Sequence, residues 1–173
     1  MHTLILGGAR SGKSALAERL AQDSGRTVVY LATAQAGDGE MAARIAHHRA
    51  RRPASWASVE EPLALADALR EHARADRCVL VDCLTLWLSN VLGDDDATRF
   101  ERERKALLDA LPGLPGEIVL VSNEVGLGIV PLGELSRRFV DEAGRLHQAL
   151  AAQCDRVIFV AAGLPLAMKG TLA

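Results

Sequence analysis

Short apolar runs recur along the chain, and they are rich in β-branched residues. Five of them stand out: "TLIL" (3–6), "TVVYLA" (27–32), "CVLVD" (78–82), "EIVLVS" (117–122) and "RVIFVA" (156–161). They are nearly unbroken rather than alternating, which is typical of strands that are covered on both faces. The pattern therefore predicts five buried strands.

Segments with the helical spacing of apolar positions lie between these runs. The predicted helices are "KSALAERLAQDSG", ending at Gly25; "EMAARIAHHRAR", ending before Pro53; "EPLALADALREHARA", beginning near Pro62; "TRFERERKALLDAL"; and "LSRRFVDEAGRLHQALAAQ". Glycine commonly ends helices, and proline is tolerated in a first turn. This alternation predicts a mostly parallel sheet with helices on both faces, and the tail "AGLPLAMKG" is a candidate last strand, antiparallel to the rest.

The composition fits one globular domain over residues 1–173. Hydrophobic residues make up 49% and charged residues 24%, and the net charge is −2. This balance gives no general case for binding nucleic acid or an anionic membrane surface. Aromatic residues are only 3%, which leaves few stacking platforms for a single strand. No apolar segment approaches the roughly 20 residues of a membrane span.

The cysteines and the first residues bear on the compartment. Cys78, Cys83 and Cys154 form no pair with metal-site spacing, and "MHTLILGG" lacks the basic leader and apolar length of a signal peptide. An odd cysteine count without such a signal predicts reduced thiols in a cytoplasmic protein. We expect Cys83 to be buried rather than reactive.

A phosphate-binding loop is predicted where the first strand meets the first helix. "LILGGARSGKS" fits the pattern G-x4-G-K-[ST], and the candidate nucleotide-binding residues are Gly7, Gly8, Ala9, Arg10, Ser11, Gly12, Lys13 and Ser14. Glycines let the backbone curl so that its N–H groups point at phosphate oxygens, and the helix adds its positive end. Lys13 is suited to the β and γ phosphates and Ser14 to Mg²⁺. The alternative is a glycine-rich turn that matches by chance.

A second metal ligand is predicted at Asp82, which ends the strand "CVLVD". An acid in this position holds the nucleotide's Mg²⁺ in phosphate-loop proteins. The alternative is an aspartate that caps the next helix. We therefore expect the chain to bind ATP or GTP with Mg²⁺, as a kinase, an ATPase or a nucleotidyltransferase.

Two adjacent histidines, His47 and His48, lie in the basic stretch "EMAARIAHHRARRPASW" (40–56). A histidine near a phosphate is a candidate general base, or a nucleophile that accepts a nucleotidyl group. Neighbouring cations keep the ring neutral by lowering its pKa, and they stabilise developing charge on phosphoryl oxygens. On a helix, His48 shares a face with Arg44 and Arg52. The alternative is a solvated basic helix face.

Together these segments resemble a known family. "GGARSGKS", "YLATAQ", "EMAARIAHHRARRPASWASVEEP", "LVDCLTLWLSN" and "VSNEVGLGIVP" occur in an order similar to that of the bifunctional adenosylcobinamide kinase/adenosylcobinamide-phosphate guanylyltransferase family of cobalamin biosynthesis, often called CobU or CobP. The resemblance extends over nearly the whole chain. It implies a RecA-like α/β fold and a homo-oligomer, which we expect to be a trimer.

The resemblance also implies two reactions and their residues. The protein would phosphorylate adenosylcobinamide and then pass GMP from GTP, through a guanylylated histidine, to adenosylcobinamide phosphate. The nucleophile falls on His48, with His47 as the alternative. The implied GTP-site residues are Ala32, Thr33, Ala34, Arg49, Ala50, Arg51, Arg52, Glu60 and Asp82. Glu60 is a candidate acceptor for the guanine N1–H and 2-amino donors, or else a surface acid.

The remaining candidates carry weaker signals. Asn123 and Glu124, at the end of a predicted strand, are expected to sense the γ-phosphate or meet the corrinoid side chain, or else to stabilise a loop. His2, His72 and His147 are interpreted as structural and without partners. Rival functions are a kinase for another metabolite and a nucleotide-switched binding protein. The second is disfavoured because the sequence indicates no exposed apolar stripe for a partner.

Overall fold

The structure is a computed structural model that describes residues 1–34 and 53–172. In this part of the chain seven strands form one sheet: β1 His2–Gly7, β2 Thr27–Ala32, β3 Ala57–Glu60, β4 Arg77–Asp82, β5 Glu117–Asn123, β6 Arg156–Ala161 and β7 Leu164–Lys169. Their order is β3-β2-β4-β5-β1-β6-β7. All neighbours are parallel except β6 and β7. The five predicted strands and the antiparallel last strand are confirmed.

Strand β3 was not predicted, and its sequence explains why. Its four residues, "ASVE", are mostly exposed, and it pairs with β2 alone at the edge of the sheet. An edge strand with open faces carries no continuous apolar run, so hydrophobic patterning does not reveal it.

Helices cover both faces of the sheet. In the described residues they are α1 Lys13–Asp23, α2 Leu65–His72, α3 Leu84–Leu92, α4 Arg99–Ala110 and α5 Glu134–Gln153, and a 3₁₀ turn follows α4 at Leu111–Gly113. The helix predicted over "EMAARIAHHRAR" lies outside the described residues. Helix α3 was missed because it is short and mostly apolar, although its buried residues do show helical spacing: Leu84, Trp87, Leu88 and Val91.

Helix α2 begins later than predicted. The prediction placed its start near Pro62, whereas the helix runs from Leu65. The Glu61 carboxylate accepts hydrogen bonds from the backbone N–H groups of Leu63 and Ala64, both at 2.8 Å. These bonds hold the residues after Pro62 in a turn, so the proline precedes the helix instead of opening it.

The core divides into two layers because successive strand residues point to opposite faces. On β1, Leu4 and Leu6 belong to a layer packed under α2, α3, α4 and α5, while Ile5 faces α1 on the other side. Trp87 is completely buried in the first layer, and its indole N–H donates to Leu63 O at 2.8 Å.

Parallel strands bring their carboxyl ends to one edge of the sheet, which we term the carboxyl edge. In the strand register, Ala32 of β2 lies beside Asp82 of β4 and Glu60 of β3, and Gly7 of β1 lies beside Asn123 of β5. Ligands of open α/β sheets bind at this edge. The topology thus gathers several predicted site residues that are far apart in sequence.

An exposed apolar segment, residues 127–135, follows β5. Leu127, Ile129 and Leu132 are 81%, 99% and 96% exposed. The expectation that the chain has no exposed apolar stripe was therefore wrong. Apolar runs of this kind are normally buried, so the sequence alone did not indicate that this one is exposed. None of the helices in the described part has the length and apolarity that a bilayer crossing requires.

Candidate active site

The loop of residues 7–14, here the phosphate loop, has a shape that requires glycine. A Cβ on Gly7 would lie within 2.6 Å of Ser11 Oγ and closer still to Val160 O. Gly12 has a φ of +96°, a left-handed conformation that side chains disfavour, and it directly precedes α1. The predicted glycine pattern therefore has a steric cause at both positions.

Backbone hydrogen bonds hold the phosphate loop in place. Ser11 N donates to Gly8 O at 3.2 Å, and Gly163 N, from the turn between β6 and β7, donates to Ser11 O at 2.8 Å. Arg10 also has a positive φ, of 57°. Backbone of this type presents N–H groups to an anion, next to the positive end of α1. The loop is thus shaped for phosphate without any ligand.

Lys13 is buried in this loop, with only 8% of its surface exposed. Its Nζ donates to Gly8 O at 3.1 Å. Burial lowers the pKa of the Lys13 ammonium, and the acidic groups of Cys83 and Asp82 oppose that shift. Nearby, Ser11 Oγ is buried and has no hydrogen-bond partner in the described part of the chain. Both groups gain a partner if a phosphate enters the loop.

Asp82 lies at the carboxyl end of β4, half-buried, where the Tyr30 hydroxyl donates to its Oδ2 at 3.2 Å. The alternative role as a helix cap is not seen, because α3 is preceded by Cys83 and the described residues provide it no side-chain capping bond. Asp82 is close enough to Lys13 to affect its pKa. The Asp82 carboxylate therefore lies within electrostatic range of the Lys13 ammonium.

The donor chemistry at this position fits magnesium. The Ser14 hydroxyl and the Asp82 carboxylate are hard oxygen ligands, which Mg²⁺ prefers. Among residues 1–34 and 53–172, no group of three or more His, Cys, Asp or Glu side chains is arranged to hold a metal. An ion bound through few protein oxygens, with water and substrate phosphates completing its shell, is the usual arrangement for Mg²⁺.

Thr33 ties the end of β2 to the end of β4. Its hydroxyl donates to Cys83 O at 2.7 Å and accepts from Cys83 N at 3.0 Å, and Asn90 Nδ2 donates to Thr33 O at 2.9 Å. Thr33 is completely buried, whereas Ala32 and Ala34 are half-buried. Of these three predicted nucleotide-site residues, Thr33 supports the site from within, whereas the two alanines have accessible surface that a nucleotide could contact.

A buried polar group behind the phosphate loop corrects one prediction. His147 was expected to lack partners, but its Nε2 lies 2.7 Å from Ser122 Oγ and its Nδ1 lies 3.7 Å from Glu124 Oε2. Burial lowers the pKa of His147, and Glu124 acts against that shift. The missed signal is the spacing of the buried residues of α5, namely Ala143, Leu146, His147 and Leu150.

The other two histidines interpreted as structural also have neighbours. His2 Nε2 lies 3.2 Å from Leu114 O, and His72 Nε2 lies 3.9 Å from the Glu71 carboxylate. The expectation that they lack partners was wrong, because buried or half-buried imidazoles need a polar neighbour. Neither lies at the carboxyl edge, since His2 begins β1 and His72 ends α2.

The structure leaves part of the predicted site undescribed. His47, His48, Arg49, Ala50, Arg51 and Arg52 lie outside the described residues. Glu60 ends the edge strand β3 with an exposed side chain. The three cysteines are buried and free, and burial raises the pKa of the Cys83 thiol. The prediction that Cys83 is buried is confirmed.

Comparisons with known proteins agree along nearly the whole chain. A family model described as "Cobinamide kinase / cobinamide phosphate guanyltransferase" matches residues 3–168. The "Bifunctional adenosylcobalamin biosynthesis protein CobP" of Pseudomonas aeruginosa is 69% identical over 170 residues, which cover 98% of each chain. The "Bifunctional adenosylcobalamin biosynthesis protein CobU" of Escherichia coli is 41% identical over 182 residues, covering 98% of this chain and all of the relative.

A solved structure is similar in fold. The RadB recombinase has a TM-score of 0.53 and 16% identity, over 91% of this chain and 73% of that protein. At this identity the likeness concerns the fold alone. With the mostly parallel sheet and the phosphate loop, it confirms the predicted RecA-like α/β architecture.

Proposed function

The chain belongs to the cobinamide kinase/cobinamide phosphate guanyltransferase family, and from that premise we propose that it links the two reactions of the family through a guanylylated histidine. It is a nucleotide-binding transferase, an adenosylcobinamide kinase and an adenosylcobinamide-phosphate guanylyltransferase. ATP or GTP phosphorylates the aminopropanol hydroxyl of adenosylcobinamide. GTP then supplies GMP to the phosphorylated corrinoid, which yields adenosyl-GDP-cobinamide and pyrophosphate.

One observation carries the proposal. A phosphate loop with a buried lysine faces Asp82 at the carboxyl edge, in a chain that bifunctional relatives match over 98% of its length. An ordinary kinase for another metabolite would account for the loop and the acid. It would not account for similarity to bifunctional proteins from end to end.

The kinase step uses the phosphate loop. Lys13 and the loop N–H groups bind the β and γ phosphates and stabilise charge that develops on their oxygens. In the free protein Lys13 Nζ donates to Gly8 O, which keeps the ammonium within the loop where the phosphates would bind. Ser14 and Asp82 are the candidate protein ligands of Mg²⁺, which would supply positive charge to offset that of the phosphates.

The guanylyl transfer uses the histidine pair. A neutral ring nitrogen of His48 attacks the α-phosphorus of GTP, so that a P–N bond forms and the bond to the pyrophosphate oxygen breaks. A phosphate oxygen of the corrinoid then attacks the same phosphorus, and the P–N bond breaks. Arg49, Arg51 and Arg52 balance phosphate charge during both transfers. His47 is the alternative nucleophile, and this part of the proposal rests on the sequence.

Guanine selectivity is proposed for the β2 and β3 ends. Glu60 lies one strand away from Asp82, with Ala32 between them in the register. A carboxylate there would accept hydrogen bonds from the guanine N1–H and 2-amino group. The half-buried Ala32 and Ala34 would leave room for the nucleotide beside it.

The protein is further proposed to be a homotrimer. The exposed apolar segment 127–135 and the outward side chains of β7, with Leu164, Leu166 and Met168 63–73% exposed, offer more apolar surface than an isolated domain normally shows. Light scattering coupled to size-exclusion chromatography should give three times the chain mass of 18.5 kDa. A mass of one chain would contradict this part of the proposal.

The decisive experiment labels the histidine. The protein is incubated with GTP labelled at the α-phosphate, with Mg²⁺ and without corrinoid, then denatured, and protein-bound label is counted. We expect acid-labile, alkali-stable label that disappears in His48→Ala and persists in His47→Ala. Label lost only in His47→Ala would move the nucleophile by one residue.

Two controls make this result interpretable. GTP labelled at the γ-phosphate should leave no label on the protein, because pyrophosphate departs. Omission of Mg²⁺ with added EDTA should abolish labelling by α-labelled GTP. Wild-type protein that binds GTP but acquires no label would overturn the covalent mechanism and favour a plain kinase.

A further inference from the structure

A buried chain of polar groups runs behind the phosphate loop and connects α3, β5 and α5. Asn123 N donates to Thr85 Oγ1 at 2.7 Å, Thr85 Oγ1 lies 3.2 Å from Ser122 Oγ, and Ser122 Oγ lies 2.7 Å from His147 Nε2. His147 and Ser122 are 6% and 1% exposed. The other ring nitrogen, Nδ1, lies 3.7 Å from Glu124 Oε2.

The chemistry of these groups assigns the protons along the chain. A carboxylate can only accept, so Nδ1, which faces Glu124, is the nitrogen that carries hydrogen. In the neutral ring Nε2 then has a lone pair and accepts from the Ser122 hydroxyl. Ser122 in turn accepts from Thr85, which accepts from the Asn123 N–H. The hydrogen bonds from Asn123 to His147 therefore run in one direction, and they leave Nδ1–H facing Glu124 Oε2 at 3.7 Å without a hydrogen bond between the two groups.

Glu124 is attached to the phosphate loop through its backbone, and its side chain is held by the turn that follows it. Its backbone N–H donates to Gly7 O, the first glycine of the loop, at 3.0 Å. Its Oε1 accepts from Gly126 N at 2.6 Å, and its side chain is 23% exposed. One carboxylate oxygen is therefore fixed by the backbone while the other faces His147. A reactive group held in this way is preorganised next to the phosphates.

The three proposed transfers differ in whether the nucleophile must lose a proton. The neutral ring nitrogen that attacks GTP has a free lone pair, and the corrinoid phosphate that takes GMP is already an anion. Only the aminopropanol hydroxyl, which attacks the γ-phosphorus in the kinase step, carries a proton that must leave. A positioned carboxylate can accept that proton, as an aspartate does in protein kinases.

We propose that Glu124 is the carboxylate that accepts the hydroxyl proton in the kinase step and that His147 is its positioning residue. The inference rests on the proposed function and names residues within it. The hydroxyl oxygen bonds to the γ-phosphorus, the bond from that phosphorus to the bridging oxygen breaks, and the departing nucleoside diphosphate keeps the electron pair. The hydroxyl proton moves to Glu124 and then to solvent.

The separation of 3.7 Å between His147 and Glu124 is longer than a normal hydrogen bond. Catalytic hydrogen bonds are often long in unliganded proteins and shorten in the substrate complex. We therefore expect the distance between His147 Nδ1 and the Glu124 carboxylate to shorten when substrate enters. His147 acts through Glu124 and does not itself reach the substrate.

The first test compares two rates in one protein preparation. Kinase activity is measured with γ-labelled ATP and adenosylcobinamide, and histidine labelling with α-labelled GTP without corrinoid. In Glu124→Gln we expect the kinase kcat to fall about 100-fold or more, the range for loss of a general base. Histidine labelling should fall far less, and the KM for ATP should change little. Equal losses in both rates would overturn the role of Glu124.

The second test separates the two ring nitrogens of His147. The asparagine amide takes the place of Nδ1–H, whereas the glutamine amide takes the place of Nε2. His147→Asn should keep most of the kinase activity, and His147→Gln should lose about 10–100-fold in kcat, as removal of an orienting partner does. A purely packing role predicts similar activity in both variants, which would overturn the positioning role.

A matched control and a spectroscopic readout complete the design. His2 is nearly as buried as His147, but it begins β1, at the end of the strand opposite Gly7 and the phosphate loop. His2→Asn and His2→Gln should therefore leave the kinase kcat unchanged. In protein labelled with ¹⁵N-histidine, the signal lost in His147→Asn should show the neutral Nδ1–H tautomer. An Nε2–H tautomer would contradict the proton assignment.

Failure of the inference can be told apart from failure of the proposed function. If wild-type protein makes neither corrinoid phosphate nor histidine-bound GMP, the proposed function fails. If wild type makes both and Glu124→Gln retains its kinase kcat, the function stands and the inference is overturned.

Discussion

The two edges of the central sheet are built from the same strands, yet their polar groups are used differently. At the amino edge, where β1 and β6 begin, His2 N donates to the Asp155 carboxylate at 2.7 Å and His2 Nε2 lies 3.2 Å from Leu114 O. Arg156, buried at the same edge, donates from Nε to Thr3 Oγ1 at 3.1 Å. The polar side chains at the starts of β1 and β6 thus find partners within the chain.

At the carboxyl edge, several buried atoms lack hydrogen-bond partners in the described residues. They are Ser11 Oγ, Asn123 Oδ1 and His147 Nδ1. A buried polar group left unsatisfied costs about 1–3 kcal/mol. Proteins retain such groups mainly at functional sites, where a ligand supplies the partner. At the amino edge the strand residues are paired in the free protein, although Gln153 Oε1, at the end of α5, lacks a partner in the described residues. At the carboxyl edge we expect substrate to supply partners for Ser11 Oγ and Asn123 Oδ1, and Glu124 to supply one for His147 Nδ1.

The largest effect on activity should come from replacing the buried cation at the carboxyl edge, with the buried cation at the amino edge as its control. Lys13 and Arg156 are 8% and 7% exposed. Lys13→Met should lower the kinase kcat about 100-fold to 1,000-fold, as loss of a transition-state donor does. Its Tm should hold or rise, because the substitution removes a buried charge. Steady-state kinetics and calorimetry measure the two quantities.

Arg156→Met is the matched control, and it should show the reverse. Loss of the bond to Thr3 should lower stability by about 1–2 kcal/mol, while kcat per folded molecule stays the same. If Arg156→Met reduced kcat as strongly as Lys13→Met, the distinction between the two edges would not hold.

A glycine at each edge gives the second comparison. A Cβ on Gly116 would lie within 2.6 Å of Arg77 O and closer still to Arg74 O, and its φ is +80°. We expect Gly116→Ala to cost about 1–3 kcal/mol, the usual penalty of overpacking, without changing nucleotide affinity. Gly7→Ala should cost similar stability and also weaken GTP binding, since the added methyl meets Ser11 Oγ and Val160 O.

Denaturant unfolding and fluorescence titration with a labelled GTP analogue separate these outcomes. Full-affinity binding by Gly7→Ala would show that the phosphate loop tolerates a side chain. In that case its glycine pattern would not have the steric cause argued above.

The sequence predicted those features that are specified by residues close together in the chain. The phosphate loop is contiguous, so its spacing was visible, and Asp82 ends an unmistakable apolar run. The five buried strands were visible for the same reason. Strand β3 was missed because it is exposed at an edge of the sheet, and helix α3 because it is short and mostly apolar.

The residues that support the site could not be predicted, because their contacts join parts of the chain that are distant in sequence. Tyr30 reaches Asp82 from 52 residues away, Asn123 reaches Thr85 from 38, and His147 reaches Ser122 from 25. No local pattern specifies such pairs. They arise because the strand order β2-β4-β5-β1 and the packing of α3 and α5 on the sheet bring distant residues together.

The smallest effect should be on the pH dependence of stability, and here the two edges should behave alike. Burial lowers the pKa of both His2 and His147 below their ordinary value of 6.5. The unfolded chain therefore takes up protons at a higher pH than the folded protein does. The contribution of these histidines to the free energy of unfolding is therefore fully present above about pH 6.5 and declines as the pH falls below that value.

We expect the wild-type Tm to fall between pH 7 and pH 5, and His2→Asn and His147→Asn each to flatten that decline. Asp155, the acid that accepts the His2 N–H, has its pKa lowered from 3.8, so it stays ionised throughout this window and does not contribute to the slope. Calorimetry at half-unit pH steps measures the effect. An unchanged slope in His147→Asn alone would mean that this histidine keeps the same proton affinity after unfolding, which would separate the two edges in protonation as well as in function.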